Sequence, residues 1–139
     1  MKNKLLVVGT MAYDAIETPY DKVDRILGGA ATYIALASSK FDVDCGLVSV
    51  IGDDFENSDL KILTDLEVSI DGVEQVAGGK SFFWSGRYHD DMNGRTTLDT
   101  QLNVLENFSP NVPDSYRNAE VMMIGNLHPG VQLTALNQM

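Results

Sequence analysis

Three apolar runs along the chain have the pattern of buried strands. Leu5–Val8 is a continuous run of β-favouring residues ended by Gly9, and Gly46–Ile51 and Val121–Ile124 are further runs of the same kind. Short apolar runs bounded by turn residues are typical of strands covered on both faces in a mainly parallel sheet. The sequence therefore predicts at least three central strands.

The segments between these runs have helical character. Residues 30–40 are rich in helix formers and in small residues, and Leu60, Leu63 and Leu66 repeat with amphipathic spacing. Residues 131–139 also begin with a helical pattern. The order strand, helix, strand, helix favours an α/β architecture with right-handed crossovers.

The middle of the chain changes to an alternating pattern. Residues 80–88 and 96–100 read as two strands, and Asn93-Gly94 between them is a strong hairpin signal. We predict an antiparallel insertion here. Because side chains alternate along a strand, its aromatic residues must face both ways: Phe82, Trp84 and Tyr88 to one side, Phe83 and Arg87 to the other.

Composition narrows the class of protein. The 139 residues suit one domain, and a formal net charge of −10 without basic runs argues against nucleic-acid binding. Cys45 is the only cysteine, so no disulfide forms within the chain, and a reducing compartment is expected. The run at Leu5–Val8 is too short for a signal-peptide core or a membrane span. We expect a cytoplasmic protein that does not act at a membrane.

Two features suggest a binding site. Gly28-Gly29 stands just before a predicted helix, where a ligand can approach the backbone and free N–H groups can meet it. A tight turn explains the same glycines. Asp14 follows the first strand, at the carboxyl end of the sheet, where open α/β folds bind ligands. A solvated loop acid is the alternative.

The combination of motifs is more specific. The segments 9–14, 28–37 and 48–55, in this order and spacing, resemble the N-terminal half of the ribokinase-like (PfkB) carbohydrate and nucleoside kinase family. Residues 66–73 are similar to the family's usual passage after its second helix, and Asn93-Gly94-Arg95-Thr96 is similar to its lid hairpin. The resemblance covers nearly all of this chain but only about the first half of a typical member.

The resemblance implies a fold and a site. The fold would be ribokinase-like, a mostly parallel sheet flanked by helices with an antiparallel β lid; residues 1–139 would form its N-terminal part, with lid elements around 10–20 and 72–101. Asp14 matches the acid that holds two sugar hydroxyls, and Gly28 and Gly29 match glycines that line the sugar near the lid hinge. Family lids often pair between subunits, which makes a homodimer the expected assembly.

Four further residues are candidates for substrate contact. Tyr33 stands where many sugar kinases have Asn, which leaves the substrate open, a sugar or a nucleoside. Asn126 falls near a polar substrate group of the family, or is a simple loop residue. Trp84 and Arg87 are candidates for substrate contact from the lid, or for packing in a dimer.

The family's catalytic loop, G-x-G-D, does not occur in this sequence, so no catalytic residue is assigned. Asn103–Glu106 has the form of the magnesium-associated N-x-x-E motif, but at an early position that indicates coincidence. The resemblance implies ATP and Mg²⁺ as cofactors of the complete enzyme, with neither these cofactors nor another metal bound by this portion alone. Since the final segment lacks a helix stop signal, we expect a truncated chain that is inactive alone.

The sequence thus indicates the substrate-binding and lid portion of an ATP-dependent sugar or nucleoside kinase, which transfers the γ-phosphoryl group to a hydroxyl. A non-catalytic sugar-binding or dimerising module of the same fold is the alternative. Another Rossmann-like nucleotide binder is a third possibility.

Overall fold

The computed structural model describes residues 1–139, which form two four-stranded sheets and three helices. The strands are β1 Asn3–Val8, β2 Ala12–Glu17, β3 Lys22–Gly28, β4 Val43–Gly52, β5 Ser69–Val76, β6 Phe82–Tyr88, β7 Arg95–Gln101 and β8 Val121–Ile124. The helices are α1 Ala30–Ser38, α2 Asn57–Asp65 and α3 Pro129–Leu136, with short 3-10 turns at Asn103–Asn107 and Asp114–Tyr116.

The main sheet has the order β5-β4-β1-β8 and is parallel throughout. Alternate residues of its central strands belong to two cores: Leu6 and Val48 pack on one face, Val7 and Leu47 on the other. Helices α1 and α2 cover the second of these faces, and α3 and the 3-10 turns cover the first. The predicted α/β fold with doubly covered central strands is confirmed.

The second sheet has the order β3-β2-β6-β7 and is mixed. Its two hairpins, β2–β3 and β6–β7, are antiparallel, but β2 pairs with β6 in parallel. The predicted antiparallel hairpin is confirmed in β6–β7, and the parallel pairing of β2 with β6 makes the whole sheet mixed. The reason is topological, because β2 and β6 each follow a strand of the parallel main sheet and so leave it in the same direction.

Two predicted boundaries move. Residues 72–76 lie in β5 of the main sheet, so the second sheet resumes at Phe82 and not near 72. The first predicted lid element, residues 10–20, is longer in the structure, since β3 runs to Gly28. Leu66 lies just after the end of α2 and is 37% exposed, while Leu63 is fully buried.

Strand β8 was predicted as buried and lies at the edge of the main sheet. Val121 is 56% exposed and Met123 is 48% exposed, while the alternate residues are partly covered. The apolar run is covered on one face only, because β8 pairs with β1 alone and the Val121 face receives no helix. No helix of the structure has the length and apolar character needed to cross a membrane.

Candidate functional site

A cleft of about 360 Å³ lies between the carboxyl end of the main sheet and one face of the second sheet. We call it the central cleft. Its walls are Thr10, Ala12, Asp14, Gly29, Ala30, Tyr33, Phe82, Trp84, Tyr88, Arg95 and Asn126. The structure thus gathers five of the seven residues that the sequence selected: Asp14, Gly29, Tyr33, Trp84 and Asn126.

Asp14 lies on β2 and is half-buried in the wall of the central cleft. No group of the protein donates a hydrogen bond to its carboxylate, and burial raises the pKa of this carboxyl above its ordinary value. A partly desolvated carboxylate without a partner is costly to the fold. Its oxygens therefore remain available to a ligand in the cleft.

Gly28 stands beside Asp14 and does not itself line the cleft. A Cβ atom at position 28 would run into the Asp14 carboxylate, so glycine is required for the carboxylate to lie where it does. Gly29 has a φ of +96°, and a Cβ there would meet the carbonyl oxygen of Thr10. Gly28 thus makes room for the Asp14 carboxylate, and Gly29 makes room for the Thr10 carbonyl. Gly29 also lines the central cleft.

The N-terminus of α1 is already occupied, contrary to the expectation of free donors. The N–H of Ala30 donates to the Thr10 hydroxyl at 3.0 Å, and the N–H of Ala31 donates to the Thr10 carbonyl at 2.9 Å. Thr10, in the turn between β1 and β2, therefore accepts the hydrogen bonds of these two amides, which do not face a ligand.

Thr10 also orients Asn126 across the cleft floor. Its hydroxyl donates to Asn126 Oδ1 at 3.0 Å, and the Thr10 side chain is buried. Since the amide oxygen is engaged, the amide nitrogen of Asn126 keeps its two donors for a ligand. Sequence reasoning missed Thr10, although its place directly after β1 was a signal that it would reach this edge.

The second sheet supplies the aromatic wall. The Trp84 ring lies over Gly86, where any side chain would collide with it, and Trp84 Nε1 donates to Thr97 Oγ1 at 3.3 Å. The Arg95 guanidinium lies 5.6 Å from the centre of the Trp84 ring. Arg95, also missed, is the one cationic side chain of the cleft and complements the charge of Asp14.

Arg87 does not reach the central cleft. As the alternation predicted, it lies on the opposite face of β6, where its Nε is 3.2 Å from Glu17 Oε1. Tyr33 lines the cleft with its ring, but its hydroxyl donates to the Leu27 carbonyl at 3.1 Å. The phenol proton is therefore engaged within the chain, and only the phenol oxygen is left to accept a hydrogen bond from a ligand.

Each face of the aromatic strand β6 is occupied within one chain. Phe82, Trp84 and Tyr88 line the central cleft, and Phe83 packs on the main core. The aromatic residues thus do not by themselves require a partner. Homodimerisation through this sheet stays a prediction, and light scattering at tens of micromolar would test it.

Tyr13, next to Asp14, fastens the second sheet to the main one. Its hydroxyl donates to Asp59 Oδ2 at 2.5 Å and accepts from the N–H of Glu56 at 3.0 Å. The Arg25 guanidinium lies 3.8 Å from the ring centre. Burial, with the Asp59 carboxylate second, raises the pKa of this phenol. The contact fixes β2, and with it Asp14, against the start of α2.

Asn103 of the N-x-x-E segment and the first amides of α1 make contacts within the chain. No three His, Cys, Asp or Glu side chains converge into a metal-binding group. The N-x-x-E segment is engaged otherwise, since Asn103 Nδ2 donates to the Ser81 carbonyl at 2.9 Å. The first two amides of α1 are taken by Thr10. The arrangement suits a small polyol, for which it offers a carboxylate, an amide and an aromatic cover.

Known proteins resemble the chain over almost its full length. No family model matches it. A cytidine kinase from Thermococcus kodakarensis is 29% identical over 136 residues, which are 97% of this chain and 48% of that protein. The nucleoside kinase of Methanocaldococcus jannaschii, a ribokinase-family member, superimposes with a TM-score of 0.76 at 21% identity, covering 99% of this chain and 50% of that one. The ribokinase of Giardia lamblia superimposes with a TM-score of 0.78 at 15% identity, and the match covers 99% of this chain and 46% of that one.

These similarities establish the class of fold, a ribokinase-like α/β fold. The resemblance to the ribokinase-like (PfkB) family that the motifs indicated is confirmed by the cytidine kinase and by the solved structures. The chain spans about half the length of the curated relative it matches.

Proposed function

We propose that this chain is the substrate-binding and lid portion of an ATP-dependent sugar or nucleoside kinase, which transfers the γ-phosphoryl group to a substrate hydroxyl. One observation carries the proposal: the Asp14 carboxylate lies half-buried in the central cleft without a protein partner. A carboxylate in this state is suited to accept charge-assisted hydrogen bonds from two adjacent hydroxyls. The similarity to a cytidine kinase, a nucleoside kinase and a ribokinase supports the same class of acceptor.

The surrounding residues have complementary tasks in this proposal. Asn126 donates to a third oxygen of the substrate, because Thr10 holds its amide oxygen. Trp84 and Tyr88 cover the carbon face of the sugar ring and exclude water that competes for the phosphoryl group. Together they fix the orientation of the acceptor, which is where much of the rate enhancement in phosphoryl transfer arises. No step is assigned to ATP or Mg²⁺.

Titration calorimetry with ribose, fructose and ribonucleosides tests the proposal. The wild-type chain should bind at least one of them, and Asp14→Asn should weaken that binding at least tenfold, since hydrogen bonds to a charged group contribute about 1.5–3 kcal/mol. Asp24→Asn is the matched control, because it removes the same charge from an exposed site of β3. The proposal fails if nothing binds, or if Asp14→Asn binds like the wild type.

The absence of G-x-G-D from residues 1–139 also allows a second candidate, a non-catalytic sugar-binding or dimerising module of the same fold. The two candidates separate in the coding sequence beyond Met139. A G-x-G-D motif in frame supports the kinase, and an immediate stop codon supports the module. In both cases we expect no ATP-dependent phosphorylation by the 139-residue chain alone, and turnover above background would contradict this.

A further inference from the structure

The two walls of the central cleft belong to different sheets. Asp14 and Trp84 are paired in register on β2 and β6 of the second sheet. Tyr33 lies on α1, which packs on the main sheet, and Asn126 follows strand β8 of the main sheet. A ligand that touches both walls needs a fixed distance between them, because hydrogen bonds weaken steeply when their geometry is distorted. The contacts that hold the second sheet on the main one therefore affect ligand binding.

The turn after β4 makes such a contact at the start of β6. Ser81, the residue directly before β6, is 2% exposed. Its N–H and its hydroxyl both donate to Asp54 Oδ1, each at 2.8 Å, and its hydroxyl accepts the N–H of Gly52 at 3.0 Å. Gly52 is the last residue of the central strand β4, and Asp54 lies two residues further on. Ser81 is thus bound directly to the main sheet.

Asp54 also meets the other hairpin of the second sheet. Its carbonyl oxygen accepts a hydrogen bond from Arg25 Nη2 at 2.7 Å, and Arg25 lies on β3. Asn103, just after β7, donates from Nδ2 to the Ser81 carbonyl at 2.9 Å. Asp54 is therefore connected, directly or through Ser81, to β3, to the start of β6 and to the segment that leaves β7.

We propose that Asp54 is a positioning residue of the central cleft: through Ser81 it sets the distance between the wall with Asp14 and Trp84 and the wall with Asn126. The affinity for a ligand that bridges these walls depends on this distance. The inference rests on the proposed function, to which it adds a residue that lies outside the walls of the cleft.

The carboxylate of Asp54 is required because Ser81 is buried. Hydrogen bonds to a charged acceptor are stronger than those between neutral groups, and here one oxygen atom receives two of them. Without this acceptor, the N–H and the hydroxyl of Ser81 would lose their partner in a buried place, which is costly. The start of β6 should then move toward water. Since β6 continues directly into Phe82 and Trp84 and pairs with β2, the shift carries the whole wall with it.

Trp84 is the only tryptophan of the chain, so its fluorescence reports the position of this wall without a ligand. Asp54→Ala should shift the Trp84 emission to longer wavelength and increase its quenching by acrylamide. Asp54→Asn keeps an acceptor oxygen and should restore most of the wild-type signal. Asp53→Ala is the matched control from the same turn, because the Asp53 carboxylate accepts from the exposed Gly78 and not from a residue of the second sheet. It should leave the signal unchanged.

Calorimetry with ribose, fructose, cytidine and adenosine measures the effect on affinity. Asp54→Ala should weaken the binding of a compound that the wild-type chain binds by about fivefold or more, the equivalent of about one hydrogen bond. The loss should shrink in a Trp84→Ala background, because the aromatic wall that Asp54 positions is then absent. If Asp54→Ala does not fold, Ser81→Ala replaces it, since this variant loses the hydroxyl and keeps the N–H bond; the same changes are expected at smaller size.

The outcomes separate the inference from the function on which it rests. If none of the compounds binds, the proposed function fails, and the Trp84 fluorescence still decides whether Asp54 positions the wall. If Asp54→Ala gives the same spectrum as Asp53→Ala, or weakens binding equally with and without Trp84, the positioning role is refuted and the ligand site at Asp14 stands.

Discussion

The carboxylate of Asp14 occupies the space that a side chain at position 28 would need. The two residues lie on neighbouring strands of the second sheet, and only glycine at 28 lets the acid rest against β3 while its oxygens face the central cleft. The adjacent Gly29 has a different constraint, since its conflict is with backbone and its φ is +96°. Substitutions at the two glycines should therefore differ in effect: one at Gly28 should alter ligand binding, and one at Gly29 should alter the stability of the fold.

Gly28→Ala should impair binding and leave the fold nearly intact. The new methyl group displaces the end of a flexible side chain, and φ at Gly28 is not positive, so no backbone strain arises. We expect at least a tenfold loss of substrate affinity by calorimetry. Unchanged affinity would mean that the position of the carboxylate does not matter for binding.

Gly29→Ala should instead destabilise the protein. A residue other than glycine in this conformation costs about 1–3 kcal/mol, and the methyl group would also press on the Thr10 carbonyl. Urea denaturation should show a lower free energy of unfolding for Gly29→Ala than for Gly28→Ala. Equal values for the two variants would contradict the assignment.

Asp14→Asn should stabilise the fold as it weakens binding. Burial raises the pKa of Asp14 in the folded state above its ordinary value of 3.8. Between these two values the folded protein binds more protons than the unfolded chain, so the Asp14 contribution to stability falls as pH rises and stays low at neutral pH. The Asn variant should therefore have a higher free energy of unfolding than the wild type at neutral pH. This difference should vanish when the pH falls below the pKa of Asp14 in the unfolded chain.

Denaturation curves of both proteins across this pH range measure the effect. Asp24→Asn again serves as the control, because Asp24 is exposed on β3. A variant Asp14→Asn that is less stable than the wild type at neutral pH would indicate that the carboxylate has a structural partner after all.

Tyr13→Phe should loosen the junction between the two sheets. The change leaves the Asp59 carboxylate and the Glu56 N–H without this partner, and losing such contacts costs about 1–3 kcal/mol. Tyr33→Phe is the comparison, because it removes a single hydrogen bond from a side chain that is 56% exposed. Chemical denaturation should rank Tyr13→Phe as the less stable of the two, and the reverse order would refute the junction.

The parts of the fold with strong local signals were predictable. The apolar runs of β1 and β4 and the Asn93-Gly94 hairpin each specify their structure within a few residues. Strands β2 and β3 were not identified as strands. The residues of β3 are mostly exposed and those of β2 mostly half-buried, so neither strand has a buried alternating pattern. The pairing of β2 with β6, distant in sequence, holds β2 in register, and β3 pairs with β2 alone.

The residues of the site that belong to a motif were predictable from the sequence. Those that are brought together only by packing of distant segments were not. Asp14 and Gly29 follow from the resemblance and from their place beside predicted elements. The floor contact between Thr10 and Asn126 joins residues 116 positions apart, which a single sequence cannot reveal. Arg87 lies on the face of β6 that alternation assigns to it, opposite the central cleft, where it pairs with Glu17.

The most direct measurement is a crystal structure of the chain with the tightest-binding sugar or nucleoside. Two adjacent hydroxyls of the ligand should lie within hydrogen-bond distance, about 2.5–3.0 Å, of the Asp14 oxygens. A ligand bound elsewhere, with Asp14 touching only solvent, would contradict the account.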